Sequence, residues 1–126
     1  MTTPLDAAAL SHHPLPELPA DGDKEDRGAV LVVGGEAVMA GAAILAGVAA
    51  LSVGAGKLQI RADRTSAAAI AVAVPEARIV IAGAMSASPL IQQAVKASAL
   101  VLGPGMDTGK ARRRLASRLL DGAPAV

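Results

Sequence analysis

The chain has 126 residues, enough for one domain and too few for two. Hydrophobic residues make up 52% of it, yet Phe, Tyr and Trp are absent, so a core has to be packed from Ala, Val, Leu and Ile with backbones close together. The lack of cysteine excludes disulfides and thiolate metal sites, and a net charge of +1 supplies no field that would argue for nucleic acid or an anionic membrane.

Residues 1–26 read as a proline-rich arm. Pro4, Pro14, Pro16 and Pro19 block regular helix over its second half, leaving room for a short helix around Leu5 to Leu10. No basic segment leads into an apolar one, so the start does not read as a signal peptide and a cytoplasmic address follows by default. His12 and His13 have no carboxylate or cysteine at ligand spacing and read as solvated. After Arg27-Gly28 the pattern changes, and residues 27–126 form the folded unit.

There the elements alternate. The aliphatic run Ala29 to Val33 predicts a buried strand that stops at Gly34-Gly35. A helix follows from Ala40 to Val53, with no charge anywhere between Ala37 and Gly56. A helix apolar all round has to be covered on more than one side. The stretch is also long enough to be tested as a membrane span, but Ala and Gly enter lipid weakly and no aromatic belt or basic flank is present. Next come a strand at Lys57 to Ala62, a helix from about Thr65 to Ala73 and a strand at Arg78 to Ala82. A helix from about Pro89 to Ala97, a strand at Ala99 to Leu102 and a helix at Thr108 to Leu120 complete the series. This order predicts an α/β fold, a parallel sheet with helices on both faces. Ala123 to Val126 reads as entry into a further strand, so the domain is expected to be incomplete.

In such a sheet ligands bind beyond the carboxyl ends of the strands. Two glycine turns fall there, Gly34-Gly35 and Gly103-Pro104-Gly105, each ahead of a helix whose free N–H groups favour anions. Either could equally be a simple strand-to-helix turn, and neither matches a phosphate-loop or dinucleotide fingerprint. Lys110 reads as a solvated helix start and Asp107 as a helix cap. Arg112, Arg113, Arg114 and Arg118 do not share one stripe and read as a solvated face. No nucleophile, general base or metal cluster stands out.

The motifs KEDRGAVLVVGG, MAGAAILAGVAALSVGAGKLQI, VPEARI and ALVLGPGM, in that order, resemble the start of the NAD(P)H-hydrate dehydratase family, over about Leu15 to Val126. The resemblance implies a ribokinase-like fold and a coenzyme-repair enzyme that uses ADP or ATP, with Mg2+, to restore NADH or NADPH from the hydrates NADHX and NADPHX. It places the family's hydrate-contacting alanine on Ala42 and the glycine of its GPG turn on Gly105. Gly34, Gly35, Gly41 and Gly103 are the supporting small residues. The chain departs from the family pattern at Ala40, Glu25, Ser52 and Met106-Asp107, where proline, glycine, arginine and Leu-Gly are usual.

The family's His-Pro-Gly-Glu and Gly-Asp segments, which bring the nucleotide and the catalytic aspartate, do not occur in this sequence. The resemblance therefore implies the hydrate-binding first half of the enzyme, with no catalytic residue in this chain, inactive alone, and in oligomers as its kin often are. A non-catalytic nucleotide-binding module and an unrelated Rossmann-like domain are the alternatives.

Overall fold

A computed structural model describes residues 6–12, 14, 17, 19–24, 26–83 and 87–122. His13 and residues 123–126, on which two of the sequence readings fall, lie outside the described residues. The elements are α1 (Ala7–Ser11), β1 (Ala29–Val33), α2 (Ala40–Ser52), β2 (Lys57–Ala62), α3 (Ala67–Ala73), β3 (Arg78–Ile81), α4 (Ala87–Lys96), β4 (Ala99–Leu102) and α5 (Lys110–Gly122). α1 is the short helix expected in the arm, with Asp6 accepting from the Ala9 amide at 2.8 Å.

The strands form one parallel sheet in the order β3-β2-β1-β4, with β1 in the middle. Leu31 lies opposite both Gln59 and Leu100. The chain winds outward through β2 and β3, crosses back through α4, and adds β4 on the other side of β1. That reversal creates the crevice beyond the carboxyl ends where open α/β sheets bind ligands.

Each face of the sheet has its own core. On one side Val32, Leu58, Ile60 and Ala62 pack against Ala43 and Ala50 of α2 and Ile70 of α3. On the other Leu31 and Val33 pack against Leu90 and Ala94 of α4 and Leu119 of α5. β2 alternates, with Leu58, Ile60 and Ala62 buried and Lys57, Gln59 and Arg61 turned to the opposite face. Gly47 lets α2 lie close to β2, because a Cβ there would come within 2.9 Å of Ile60 Cδ1.

The structure corrects two readings. α2 is covered on one side only: Ala43, Gly47 and Ala50 are buried, whereas Leu45 is 72% exposed among the described residues. At 13 residues it is also shorter than the ~20 that a bilayer core requires, and among the described residues no helix is long and apolar enough to cross a membrane. Asp107 does not cap α5. Its carboxylate accepts from the adjacent Thr108 amide at 2.6 Å, outside the helix, which starts at Lys110.

Candidate functional site

The two glycine turns meet at the carboxyl ends of β1 and β4. The Gly35 amide donates to the Pro104 carbonyl at 2.8 Å and the Glu36 amide to the Gly105 carbonyl at 2.9 Å. A Cβ at Gly34 would stand 2.0 Å from the Pro104 oxygen, and one at Gly105 would stand 2.3 Å from the Met39 oxygen. Gly35 and Gly105 have φ of +65° and +64°, in the left-handed region where L side chains are strained. Gly34 and Gly105 are therefore required by backbone touching backbone, and Gly35 by its φ.

That contact changes the chemistry expected of the first turn. The Gly34, Gly35 and Glu36 amides donate to Arg61, Pro104 and Gly105 carbonyls respectively, so none of them is open to an anion. The donors left for a ligand belong to the start of α2, where the N-cap Met39 makes no side-chain capping bond. Ala42 sits there, half-buried, with its amide 3.3 Å from the same Met39 carbonyl that Gly105 approaches. Ala42 and Gly105 are thus brought together around Met39. Gly41 and Gly103 are exposed, with nothing within 4 Å of a Cβ at either; glycine at Gly103 is required by its φ of +115°, and at Gly41 no contact requires it.

Below the turns, Ser66 is 2% exposed and donates its hydroxyl to the Gly35 carbonyl. Arg112, in the first turn of α5, pairs through Nε with Glu36 Oε1, the two side chains being 28% and 19% exposed. The pair fastens the last helix to the first turn. Half-buried Arg61 lies nearby, and burial together with the Arg112 charge lowers its pKa from the ordinary arginine value against the opposing pull of Glu36 and Asp63. Reading the arginines as a solvated face holds for Arg113, Arg114 and Arg118, all exposed, and fails for Arg112. Ser66, Arg61 and the Glu36–Arg112 pair were not singled out from the sequence. The one local signal was a carboxylate directly after a glycine turn.

Asp63 begins the approach to α3. Its Oδ1 accepts from the Thr65 amide at 3.0 Å and the Thr65 hydroxyl at 2.8 Å, and these bonds lower its pKa below the usual carboxyl value. A lowered folded-state pKa adds stability above the unfolded value of about 4, and that contribution is lost as pH falls through the folded value. Asp63→Asn is therefore expected to melt below the parent at neutral pH, with the gap closing as the parent's own carboxyl protonates. Thermal melts from about pH 7 to pH 3 measure this, and a constant gap would contradict it.

A parallel α/β sheet with a strand-order reversal, and paired glycine turns at that reversal, define an open-sheet domain of the ligand-binding kind. The chain belongs to the NAD(P)H-hydrate dehydratase family, whose profile matches residues 30–124. It is 42% identical over 124 residues to the ADP-dependent (S)-NAD(P)H-hydrate dehydratase of Xanthomonas campestris pv. campestris, a match over 93% of this chain and 42% of that protein.

Among solved structures it resembles a ribokinase-like superfamily protein of Enterococcus faecalis V583 with a TM-score of 0.74 and 22% identity, over 86% of this chain and 37% of the other. It also resembles the ADP/ATP-dependent NAD(P)H-hydrate dehydratase of Bacillus subtilis co-crystallised with ATP and Mg2+. There the TM-score is 0.70 and the identity 28%, over 85% of this chain and 38% of the other. The family and the ribokinase-like fold expected from the motifs are borne out, and the chain spans less than half the length of these relatives.

Proposed function

We propose that this chain forms the hydrate-holding part of an ADP-dependent (S)-NAD(P)H-hydrate dehydratase, with the coenzyme hydrate resting on Ala42 and Gly105. What carries the reading is the meeting of the two turns around Met39, which leaves small residues and uncapped helix amides on one open surface. The ring hydroxyl of the hydrate is a poor leaving group. Phosphoryl transfer from the nucleotide makes it a phosphate ester, and loss of phosphate with a ring proton restores the double bond. In that sequence the residues of this chain bind and orient the hydrate.

Among the described residues no group of three or more His, Cys, Asp and Glu could hold a metal ion, so none of them is given the part of a Mg2+ ligand. The reaction would run in the cytoplasm, beside the coenzyme pool. A homo-oligomer would cover the exposed side of α2, where Leu45 and Val48 stand out.

Ala42→Leu tests the reading. Leucine suits a helix start, so the fold is expected to survive, while its side chain fills the space the hydrate needs. Calorimetric titration of the full chain with NADPHX should show at least about a tenfold loss of affinity, or ~1.4 kcal/mol. Undiminished binding would defeat the assignment. The parent chain is expected to bind without turnover, since the nucleotide-bearing segments do not occur in its sequence.

A further inference from the structure

Arg61 ends the polar side of β2, at the carboxyl end of the sheet. In the strand register it stands between Val33 of β1 and Val80 of β3, and both valines are buried. Its carbonyl accepts from the Gly34 amide at 3.1 Å, so the strand brings it directly beside the first glycine turn. The side chain is half-buried, yet among the described residues its guanidinium makes no hydrogen bond and no ion pair.

The carboxylates nearby are already engaged. Glu36 Oε1 takes Nε of Arg112, and Asp63 Oδ1 takes the Thr65 amide and hydroxyl. Burial opposes the charge on Arg61, and so does Arg112, more strongly than Glu36 or Asp63 supports it. A guanidinium does not lose its proton in a protein, so the fold bears this as a standing cost. Packing does not explain it. A methionine would fill the space between the two valines with no charge to desolvate.

A cation held half out of water without a partner, at the end of an open sheet where ligands bind, is the complement of an anionic ligand. The first turn cannot take that part, because the Gly34, Gly35 and Glu36 amides all donate to carbonyls. We propose that Arg61 binds a phosphate of the coenzyme hydrate, anchoring the nucleotide part of the molecule while Ala42 and Gly105 receive the hydrated ring. The assignment rests on the coenzyme surface proposed above and adds the group that meets its charge. Backbone bonds join the two places, since Gly34 donates to Arg61 and, two residues on, Glu36 donates to Gly105. The guanidinium fork can meet two phosphate oxygens at once.

The test uses ADP-ribose and 2′-phospho-ADP-ribose, which carry the coenzyme's phosphates without the hydrated ring. In calorimetric titrations of the full chain, Arg61→Met should bind one or both at least about tenfold more weakly than the parent. A loss confined to 2′-phospho-ADP-ribose identifies the 2′-phosphate as the bound group, and an equal loss for both identifies the pyrophosphate. Arg61→Lys keeps the charge without the fork and should fall between the parent and Arg61→Met.

Arg61→Met should also melt at or above the parent, because it removes a desolvated charge and breaks no bond. A melt well below the parent would make Arg61 a structural partner of Glu36 and overturn the proposal. Unchanged affinities in Arg61→Met, or a parent that binds neither probe, would overturn it as well. The two assignments fail separately: if Arg61→Met left the probes bound while Ala42→Leu still weakened NADPHX, only the arginine would lose its part.

Discussion

Gly34→Ala is expected to lower the stability of the fold by about 2–4 kcal/mol. The added methyl would stand 2.0 Å from the Pro104 carbonyl oxygen and 2.9 Å from its carbon, and both are backbone atoms that no rotamer change can move aside. Separating the turns costs about 1–3 kcal/mol in displaced packing and about 1 kcal/mol for the Gly35–Pro104 hydrogen bond that spans them. Against a total of about 5–15 kcal/mol this is a large fraction, equivalent to roughly 8–16 °C in Tm. Gly41→Ala is the control of opposite sign. Gly41 is helical with nothing within 4 Å of its Cβ position, so alanine there should raise stability by up to about 1 kcal/mol. If the two variants melted alike, the contact between the turns would not be holding the site.

The sequence resolved what local pattern encodes. Ala29–Val33, Lys57–Ala62 and Ala99–Leu102 are strands with the boundaries read from their aliphatic runs, and helices packed on both faces follow from the alternation. The helix starts were less legible. α5 begins at Lys110 and not at Thr108, with the Arg112 and Arg113 amides donating to the Gly109 carbonyl.

The use of the first turn's amides could not be read at all. Glycines after a strand suggest open N–H groups, but here these groups bond to residues on other strands and turns, with Pro104 lying 69 positions beyond Gly35. Arg112 reads as solvated for the same reason. Its three arginine neighbours in the chain are exposed, and what sets it apart is Glu36 on a different element. Contacts between distant turns leave no periodicity behind.

Ile70→Ala is expected to cost about 3–4 kcal/mol and to disturb the first turn along with the core. Ile70 is fully buried in a core without aromatic side chains, where it is among the largest fully buried residues, so alanine leaves a cavity that its small neighbours cannot fill. Its Cδ1 also lies 3.0 Å from where a Cβ would stand on Gly35, and the Ser66 hydroxyl holds the Gly35 carbonyl from the same element. α3 has seven residues and is too short to be stable by itself, so its hold on Gly35 depends on that packing.

Leu119→Ala on the other face should cost a similar amount, since Leu119 is equally buried against α4 and β1. The pair discriminates between global loss and local support. In the folded state of each variant, the Gly35 amide resonance, next to Ile70 and Ser66, should move more in Ile70→Ala than in Leu119→Ala. Equal movement in both would mean that α3 has no special part in positioning the first turn.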